Sequence, residues 1–302
     1  MTLTYRVGTL QDTGPTFDVL VAALADLDRR AGTAELRKAW TDPAFVRQYW
    51  AQRRPLLEHL ARTADRFWLA EREGQVVGYA RSIRNDGVRE LTEFFVLPGS
   101  QGEGVGRELL DRAFPHDATG RRIVIASTDL PALARYLKAG VSPRVSIYPM
   151  SGTPQAAVVP TDLAFALAEP GPTTLAAIRE IDRAVLGFTR DPDHAFLMSD
   201  RRVYLYRRGD RVIGYGYVGT STGPIALLDP AAFPAVLAHA ETEAAKQAEP
   251  AFRVIVPLVN RIVVDYLLGR RLRLDAFPMV LMSDEPVGDF TRYVGTNPPV
   301  FL

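Results

Sequence analysis

The chain has 302 residues, of which 47% are hydrophobic and 24% charged, so it can build two packed domains and is not globally disordered. Its 36 basic and 35 acidic residues nearly cancel, and no basic run predicts nucleic-acid binding. Cysteine is absent and the four histidines lie far apart, which excludes disulfides and thiolate chemistry and predicts no metal site. No apolar run approaches the roughly 18 residues that cross a bilayer, and no signal-peptide pattern is visible. We therefore expect a cytoplasmic protein without a membrane partner.

The first half alternates between helical and strand-like patterns. Apolar residues from Phe17 to Leu27 recur at helical spacing, and Asp42-Pro43 has the N-cap and first-position preferences of a helix start. The predicted order is strand 5–7, helices 17–29 and 43–61, hairpin strands 67–70 and 76–80, strand 88–97, helix 104–114, strand 121–126, helix 130–138 and strand 145–148. This order predicts a mixed α/β fold.

An internal repeat relates the two halves. The hairpin strand Val76-Val77-Gly78-Tyr79-Ala80 returns in the second half as Val212-Ile213-Gly214-Tyr215-Gly216. A second echo, Tyr136-Leu137 and Tyr266-Leu267, follows in the same order and at a similar spacing. We therefore predict two copies of one unit, each with a central mixed sheet flanked by helices: residues 1–150 and 161–302, joined by a linker at 151–160 that is rich in Gly, Thr and Pro.

A glycine-rich turn between a strand and a helix is the most informative segment. It reads Val96-Leu97-Pro98-Gly99-Ser100-Gln101-Gly102-Glu103-Gly104-Val105-Gly106-Arg107. Glycines let backbone N–H groups approach an anion, and the helix N-terminus adds unpaired donors and the positive end of its dipole. The turn therefore predicts a phosphate cradle. It lacks the third glycine of a Rossmann loop and the Gly-Lys-Ser/Thr of a Walker loop.

The pattern Gln-x-x-Gly-x-Gly, at Gln101, Gly104 and Gly106 after a Val-x-Pro strand end, resembles the loop of the GNAT acyltransferases. A second GNAT pattern, Asn-x-x-Ala-x-x-Leu-Tyr-x-x-x-Gly-Phe, is matched in part by residues 129–141 through Ala132, Tyr136 and Gly140, with Asp129 in place of Asn. The resemblance implies a tandem GNAT protein. Its second copy is degenerate because the corresponding segment, residues 228–236, contains no glycine and has two prolines.

The resemblance also implies the cofactor and the residues that bind it. Acetyl-CoA, or another acyl-CoA, would have its pyrophosphate on the turn, and no metal is implied. The expected contacts are Val96 and Leu97 through their backbone N–H groups, together with Gln101, Gly102, Glu103, Gly104, Val105, Gly106, Arg107 and Asp129. The reaction implied is an N-acetyltransferase reaction, in which a primary amine attacks the thioester directly in a ternary complex.

Such a reaction needs an acid for the leaving thiolate and a base for the amine. Tyr136 is the candidate acid. Three candidates for the base remain open: Glu93, which we prefer slightly, Glu90, and the carboxylate of Leu302, by analogy with tandem family members that use their chain terminus. Glu90 and Glu93 are three residues apart and would face opposite sides of a regular strand unless a bulge intervenes.

The acceptor is expected to meet the first two helices and their loop, where Arg37 and Trp40 are candidate contacts. A small molecule or a peptide could supply the amine, and the protein would act as a monomer or a homodimer. The second copy would be structural or would complete the pocket. The competing hypothesis is a GNAT fold that binds acyl-CoA or a partner without turnover.

Overall fold

The computed structural model describes residues 2–34, 38–116, 120–219, 222–299 and 301–302. The chain divides into two compact units. The first comprises residues 1–124 and 129–141, and the second comprises residues 125–128 and 142–302.

In its described residues the first unit has five strands and four α-helices in the order expected from the sequence, and the fifth strand continues into the second unit. The elements are β1 (Leu3–Val7), α1 (Thr13–Arg30), α2 (Pro43–Thr63), β2 (Ala64–Arg72), β3 (Gln75–Asn85), β4 (Val88–Val96), α3 (Val105–Ala113), β5 (Arg121–Ser127) and α4 (Leu130–Lys138). The start of α2 shows the physical basis of the prediction: the Asp42 carboxylate accepts a hydrogen bond from the Ala44 N–H at 2.9 Å, and Pro43 follows it as the first helical residue.

The sheet of the first unit is mixed. Strands β1 to β4 form an antiparallel meander, and β5 pairs with β4 in parallel from Val88–Arg121 to Leu91–Val124. Helices α1 and α2 cover one face, where Val19 packs against Phe67, Leu69 and Tyr79. On the other face lies α3, whose Ala113 carbonyl accepts a hydrogen bond from Ser82 Oγ at 2.7 Å. The predicted α/β fold with a mixed sheet flanked by helices is confirmed.

The second unit repeats the succession of elements. It contains β6 (Ser142–Gly152), β7 (Leu163–Ala168), α5 (Pro172–Val185), α6 (Asp191–Asp200), β8 (Arg202–Arg208), β9 (Arg211–Val218), β10 (Ile225–Leu227), α7 (Phe233–Lys246), β11 (Phe252–Pro257), α8 (Arg261–Gly269), β12 (Arg273–Leu274), β13 (Met279–Ser283) and β14 (Tyr293–Val294). One sheet has the order β14-β10-β9-β8-β7. Strand β6 pairs with β11, β12 and β13.

Strand register supports the internal repeat. Leu69 faces Tyr79 across β2 and β3, and Leu205 faces Tyr215 across β8 and β9, so both partners are displaced along the chain by the same offset. The register then shifts in each hairpin, after Ala70 in the first and after Tyr206 in the second, which preserves that offset. The shared register and bulge indicate that the two hairpins are copies of one structural unit.

Strand β6 lies across the predicted domain boundary. The sequence analysis assigns residues 142–150 to the first domain and begins the linker at residue 151. In the structure β6 continues to Gly152, and its partners β11, β12 and β13 all come from the second unit. Long-range strand pairing leaves no mark in the local composition from which such a boundary is predicted.

Candidate active site

The glycine-rich turn begins where β4 ends. Gly102 and Gly104 have φ values of +89° and +87°, which residues other than glycine rarely adopt. Gly104 is the N-cap of α3, and its carbonyl accepts the first helical hydrogen bond, from Glu108 N–H at 3.1 Å. The N–H groups that precede Glu108 in the helix therefore have no acceptor within it. Three successive donors, at Val105, Gly106 and Arg107, thus stand at the positive end of the helix dipole.

The two strand-end residues predicted to contact the cofactor differ. The Leu97 N–H donates to the Val77 carbonyl at 2.8 Å and is therefore occupied. Hydrogen-bonded pairs alternate along an antiparallel ladder, so the N–H of Val96 points away from β3. It also lies beyond Leu91–Val124, the last pair between β4 and β5. Val96 is therefore the residue whose N–H suits a ligand, while its carbonyl accepts from Gln101 Nε2 at 3.4 Å.

Gly106 is required for close packing rather than for an unusual φ. A Cβ at this position would lie 3.1 Å from Phe94 Cζ and 3.3 Å from Arg135 Nε. A side chain here would fill the space between α3, β4 and α4. By contrast, a Cβ at Gly102 or Gly104 meets nothing within 4 Å, so backbone conformation is the constraint at those two positions.

Tyr136, the candidate acid, lies on α4 and is 5% exposed. Its ring meets Phe94 at 6.0 Å between centroids, in an edge-to-face arrangement. Within the described part of the chain, its hydroxyl makes no hydrogen bond. Burial, with a smaller effect from the charge of Asp129, raises the pKa of Tyr136 well above its usual value, so the phenol keeps its proton at neutral pH.

A β-bulge in β4 puts both candidate glutamates on one face. Glu93 pairs with Arg81 and Glu90 pairs with Ile83, and the register shifts between these pairs, which leaves Thr92 as the extra residue. Because Arg81 and Ile83 are two residues apart on β3, their partners share a face. Glu90 and Glu93 are both buried, at 4% and 3% exposure.

Glu93 belongs to a buried polar cluster that the sequence analysis missed. Its carboxylate accepts from the Tyr79 hydroxyl at 2.8 Å and lies 2.7 Å from Arg81 Nη1, which also donates to the Leu57 carbonyl of α2. The Arg81 guanidinium stacks on the Phe67 ring, 4.1 Å from its centroid. Burial first, and then the charge of Glu93, raise the pKa of Tyr79 well above its usual value. The sequence feature that could have indicated this cluster is an arginine, Arg81, within the largely apolar strand segment 76–83.

The candidate acid Tyr136 and Glu93 lie on opposite sides of β4. Tyr136 contacts Phe94, whose side chain lies on the opposite face of the strand from its neighbour Glu93. The cluster formed by Tyr79, Arg81 and Glu93 lies on the side of α1 and α2, and the candidate acid lies on the side of α3 and α4. The site therefore has two sides, separated by the end of β4.

Three further residues predicted to contact the cofactor, all charged, lie in different surroundings. Glu103 in the turn forms an ion pair with Arg72. Asp129 is the N-cap of α4, where its carboxylate accepts from Ala132 N–H at 3.3 Å and pairs with Arg30 of α1 at 2.5 Å. Arg107, in the first turn of α3, is exposed.

The structure places Trp40, but not Arg37, which lies outside the described residues. Trp40 is 9% exposed and packs edge-on against Phe45 and Tyr49, at centroid distances of 5.5 and 5.0 Å. This placement is that of an aromatic core between α1 and α2. Leu302, the candidate terminal base, belongs to the second unit and is 1% exposed.

The second unit differs at the position of the glycine-rich turn. Residues Pro230–Ala232 form a 3₁₀ turn before α7, and the Asp229 carboxylate caps it by accepting from Ala231 N–H at 3.0 Å. Asp229 also pairs with Arg208 at 2.9 Å. A carboxylate therefore lies where the first unit offers unpaired N–H groups, and it would repel a phosphate.

A strand that ends in a glycine-rich helix start, with a buried tyrosine on the following helix, is the arrangement by which the sequence resembles the GNAT acyltransferases. Residues 22–141 match the family model of the GNAT acetyltransferases. This part of the chain is similar to a GNAT acetyltransferase domain, and the chain as a whole has a fold similar to that of a tandem GNAT protein.

Solved structures of similar fold cover nearly the whole chain. A candidate acetyltransferase of Pyrococcus horikoshii is 14% identical, with a TM-score of 0.73 over 96% of this chain and 92% of that one. A tandem GNAT protein from the clavulanic acid biosynthesis pathway is 15% identical, with a TM-score of 0.60 over 94% and 99%. A GCN5-related N-acetyltransferase from Sphaerobacter thermophilus is 15% identical, with a TM-score of 0.59 over 96% and 98%. No curated protein sequence matches the chain.

Two other features are absent from the described residues. No helix among them has the length and apolarity needed to cross a membrane. In the same residues, no group of three or more His, Asp or Glu side chains is arranged to hold a metal ion.

Proposed function

We propose that the first unit is an acyl-CoA-dependent N-acyltransferase that transfers an acetyl group from acetyl-CoA to a primary amine, by direct attack in a ternary complex. The observation that carries the proposal is the start of α3, where two glycines with positive φ and three N–H groups without helical acceptors follow directly on β4.

The residues that would hold acyl-CoA follow from this geometry. The N–H groups of Val105, Gly106 and Arg107 would donate hydrogen bonds to the pyrophosphate. The Val96 N–H would donate one to a carbonyl group of the pantetheine arm. Bound acyl-CoA supplies an activated acetyl thioester. The turn of the second unit is capped by Asp229, so we propose one cofactor site per chain.

Two proton transfers complete the proposed reaction. As the C–N bond forms and the C–S bond breaks, the Tyr136 hydroxyl donates its proton to the leaving sulfur atom, and a base takes a proton from the amine. The Glu93 carboxylate is already engaged by Arg81 and the Tyr79 hydroxyl, so its placement favours a positioning role. Glu90, on the same face of β4, and the terminal carboxylate of Leu302 stay candidates for the base.

The acceptor is proposed to be a primary amine of a small molecule or a peptide, handled on the side of α1 and α2. Tyr136 distinguishes this proposal from a fold that binds acyl-CoA without turnover, since a hydroxyl that makes no hydrogen bond among the described residues keeps its proton available for the leaving sulfur atom. A cytoplasmic monomer or homodimer is part of the same proposal.

Calorimetric titration with acetyl-CoA tests the cofactor site. We expect one site per chain, lost in Gly104→Val because a β-branched residue cannot adopt φ near +87° without strain. Gly99→Ala is the matched control, since Gly99 lies in the same segment, has no positive φ and leaves its Cβ without contacts within 4 Å. Two sites would show that the second unit also binds, and absence of binding would refute the proposed function.

A further inference from the structure

Arg135 lies against the first turn of α3. It is on α4, one residue before Tyr136, and its Nε and Cζ atoms are 3.3 and 3.4 Å from the position of a Cβ at Gly106. Arg135 also stands where the GNAT pattern has an apolar leucine. A guanidinium has therefore replaced a packing residue beside the three unpaired N–H groups of the helix start.

Three arginines near this helix start are paired, whereas Arg107 and Arg135 have no ion pair among the described residues. Arg30 pairs with Asp129, Arg72 pairs with Glu103, and Arg112 pairs with Glu108. Over the described residues, the Arg135 side chain has no hydrogen bond and no ion pair, although it is half-buried. Its five N–H donors remain available to a ligand.

The position of Arg135 beside the N-terminus of α3 is electrostatically unfavourable by itself. The N-terminus of a helix has a partial positive charge and is stabilised by anions, so a cation beside it is opposed by the dipole. Arg135 does benefit from the C-terminal turn of its own helix, but Lys138 occupies that turn too and would supply the same benefit. An anion held between the guanidinium and the N–H groups of α3 would remove the repulsion.

We infer that Arg135 binds a phosphate group of acyl-CoA, together with the N–H groups at the start of α3. The inference rests on the proposed function, and adds to it a second cation, from α4, beside Arg107 of the turn itself. Arginine can present two parallel N–H donors to a phosphate, which gives stronger contact than backbone donors alone. The phosphate concerned is the pyrophosphate or the 3′-phosphate of the cofactor.

Calorimetry with the full chain tests this assignment without requiring an acceptor. We expect Arg135→Leu, which restores the typical residue, to raise the Kd for acetyl-CoA about tenfold or more, because charge-assisted hydrogen bonds are lost. Arg135→Lys keeps the charge without the fork, so its Kd should lie between those of Leu and Arg. Lys138→Gln is the matched control: it removes one cation from the same turn of α4 and should leave the Kd within twofold.

Titration with acetyl-dephospho-CoA separates the two phosphates. If Arg135→Leu weakens binding of both ligands equally, the contact is to the pyrophosphate; if its effect vanishes with the dephospho ligand, the contact is to the 3′-phosphate. An unchanged Kd in Arg135→Leu, or an equal loss in Lys138→Gln, overturns the inference alone. Absence of binding by the unaltered chain overturns the proposed function, and the inference falls with it. Thermal melting of each variant confirms that it is folded.

Discussion

Tyr136 combines a buried ring with a hydroxyl that has no hydrogen-bond partner among the described residues. Burial raises the pKa of this phenol, so it is protonated across neutral pH, as a proton donor must be, and is a weaker acid than an exposed tyrosine. We expect Tyr136→Phe to lower kcat about 100-fold, the smaller end of the range for a lost general acid, and to leave the Kd for acetyl-CoA within twofold. Steady-state kinetics with an acceptor found by screening primary amines, together with calorimetry, would measure both. Undiminished turnover would remove Tyr136 from the mechanism.

Glu93 stabilises the first unit by neutralising Arg81, since both side chains are almost fully buried and 2.7 Å apart. Removing one partner of a buried pair leaves the other charge uncompensated, so we expect Glu93→Gln to lower the free energy of unfolding by about 3–5 kcal/mol. Urea denaturation at pH 7 would measure it. The control Glu58→Gln removes i,i+4 ion pairs with Arg54 and Arg62 on the surface of α2, and should have a far smaller effect because solvent screens those pairs.

If Glu93→Gln proves as stable as the control, the buried pair is not what holds these strands to α2. Kinetics of the same variant separate a positioning role from a base. A base would give a pH profile that loses its acidic limb, whereas a positioning residue changes kcat without changing the shape of the profile.

At the scale of elements, sequence patterns identify helices and strands well wherever a local signal exists. The capped start of α2 and the glycine-rich start of α3 are encoded in consecutive residues, and the structure has both. The bulge at Thr92 has no such signal, because it is a property of the pairing between β3 and β4. The sequence therefore shows only that Glu90 and Glu93 would share a face if a bulge lay between them. It does not predict the bulge itself.

Long-range contacts account for the other differences between prediction and structure. The N–H of Leu97 is occupied by Val77 because the ladder of β4 extends one residue further than the predicted contacts assume. Trp40, predicted to contact the acceptor, makes edge-on contacts with two aromatic neighbours, and its contact with the acceptor stays a prediction. Aromatic residues at helical spacing serve core and pocket equally well, and tertiary packing decides between them.

The start of α4 offers a prediction at this scale, because Asp129 caps the helix and pairs with Arg30 of α1. We expect Asp129→Ala to lower the free energy of unfolding by about 1–2 kcal/mol, since a backbone donor loses its acceptor. Asp129→Asn keeps the capping oxygen and should cost less than Ala. Chemical denaturation of both variants would show the order, and an equal cost for Asn and Ala would contradict the capping role.

At the scale of the whole molecule, both units place a tyrosine of the same hairpin position against a buried arginine and carboxylate. In the first unit Tyr79 meets Arg81 and Glu93, all on the sheet. In the second, Tyr215 donates to Asp182 at 2.5 Å, and Asp182 pairs with Arg190 at 3.1 Å; Asp182 is on α5 and Arg190 is the N-cap of α6. The repeat thus retains the tyrosine and the polar cluster but supplies the charges from different elements.

His194 extends the cluster of the second unit. Its two ring nitrogens lie 2.8 Å from Asp182 Oδ2 and 2.9 Å from the Tyr217 hydroxyl. Every member of this cluster is at most 1% exposed, so these side chains pack against one another in the interior of the unit. That the second unit lacks a cofactor site stays part of the proposal, which rests on the capped turn at Asp229.

Acid sensitivity of the second unit should follow from Asp182. Burial opposes its ionisation, but Arg190 and His194 outweigh burial and hold the pKa of this carboxyl below its usual value. Because the folded pKa lies below the unfolded value of about 3.9, the stability from Asp182 is fully present above that pH and is lost as pH falls towards the folded pKa.

We therefore expect Asp182→Asn to lower the free energy of unfolding by about 3–5 kcal/mol at pH 7, and the difference from the unaltered chain to shrink as the pH falls below about 4. Urea denaturation at a series of pH values measures both effects. Asp265→Asn, which removes an exposed ion pair with Arg261, is the control and should change the free energy of unfolding much less at every pH. A difference that stays constant from pH 7 to pH 3 would mean that Asp182 stabilises the unit through its shape and hydrogen bonds and not through its charge.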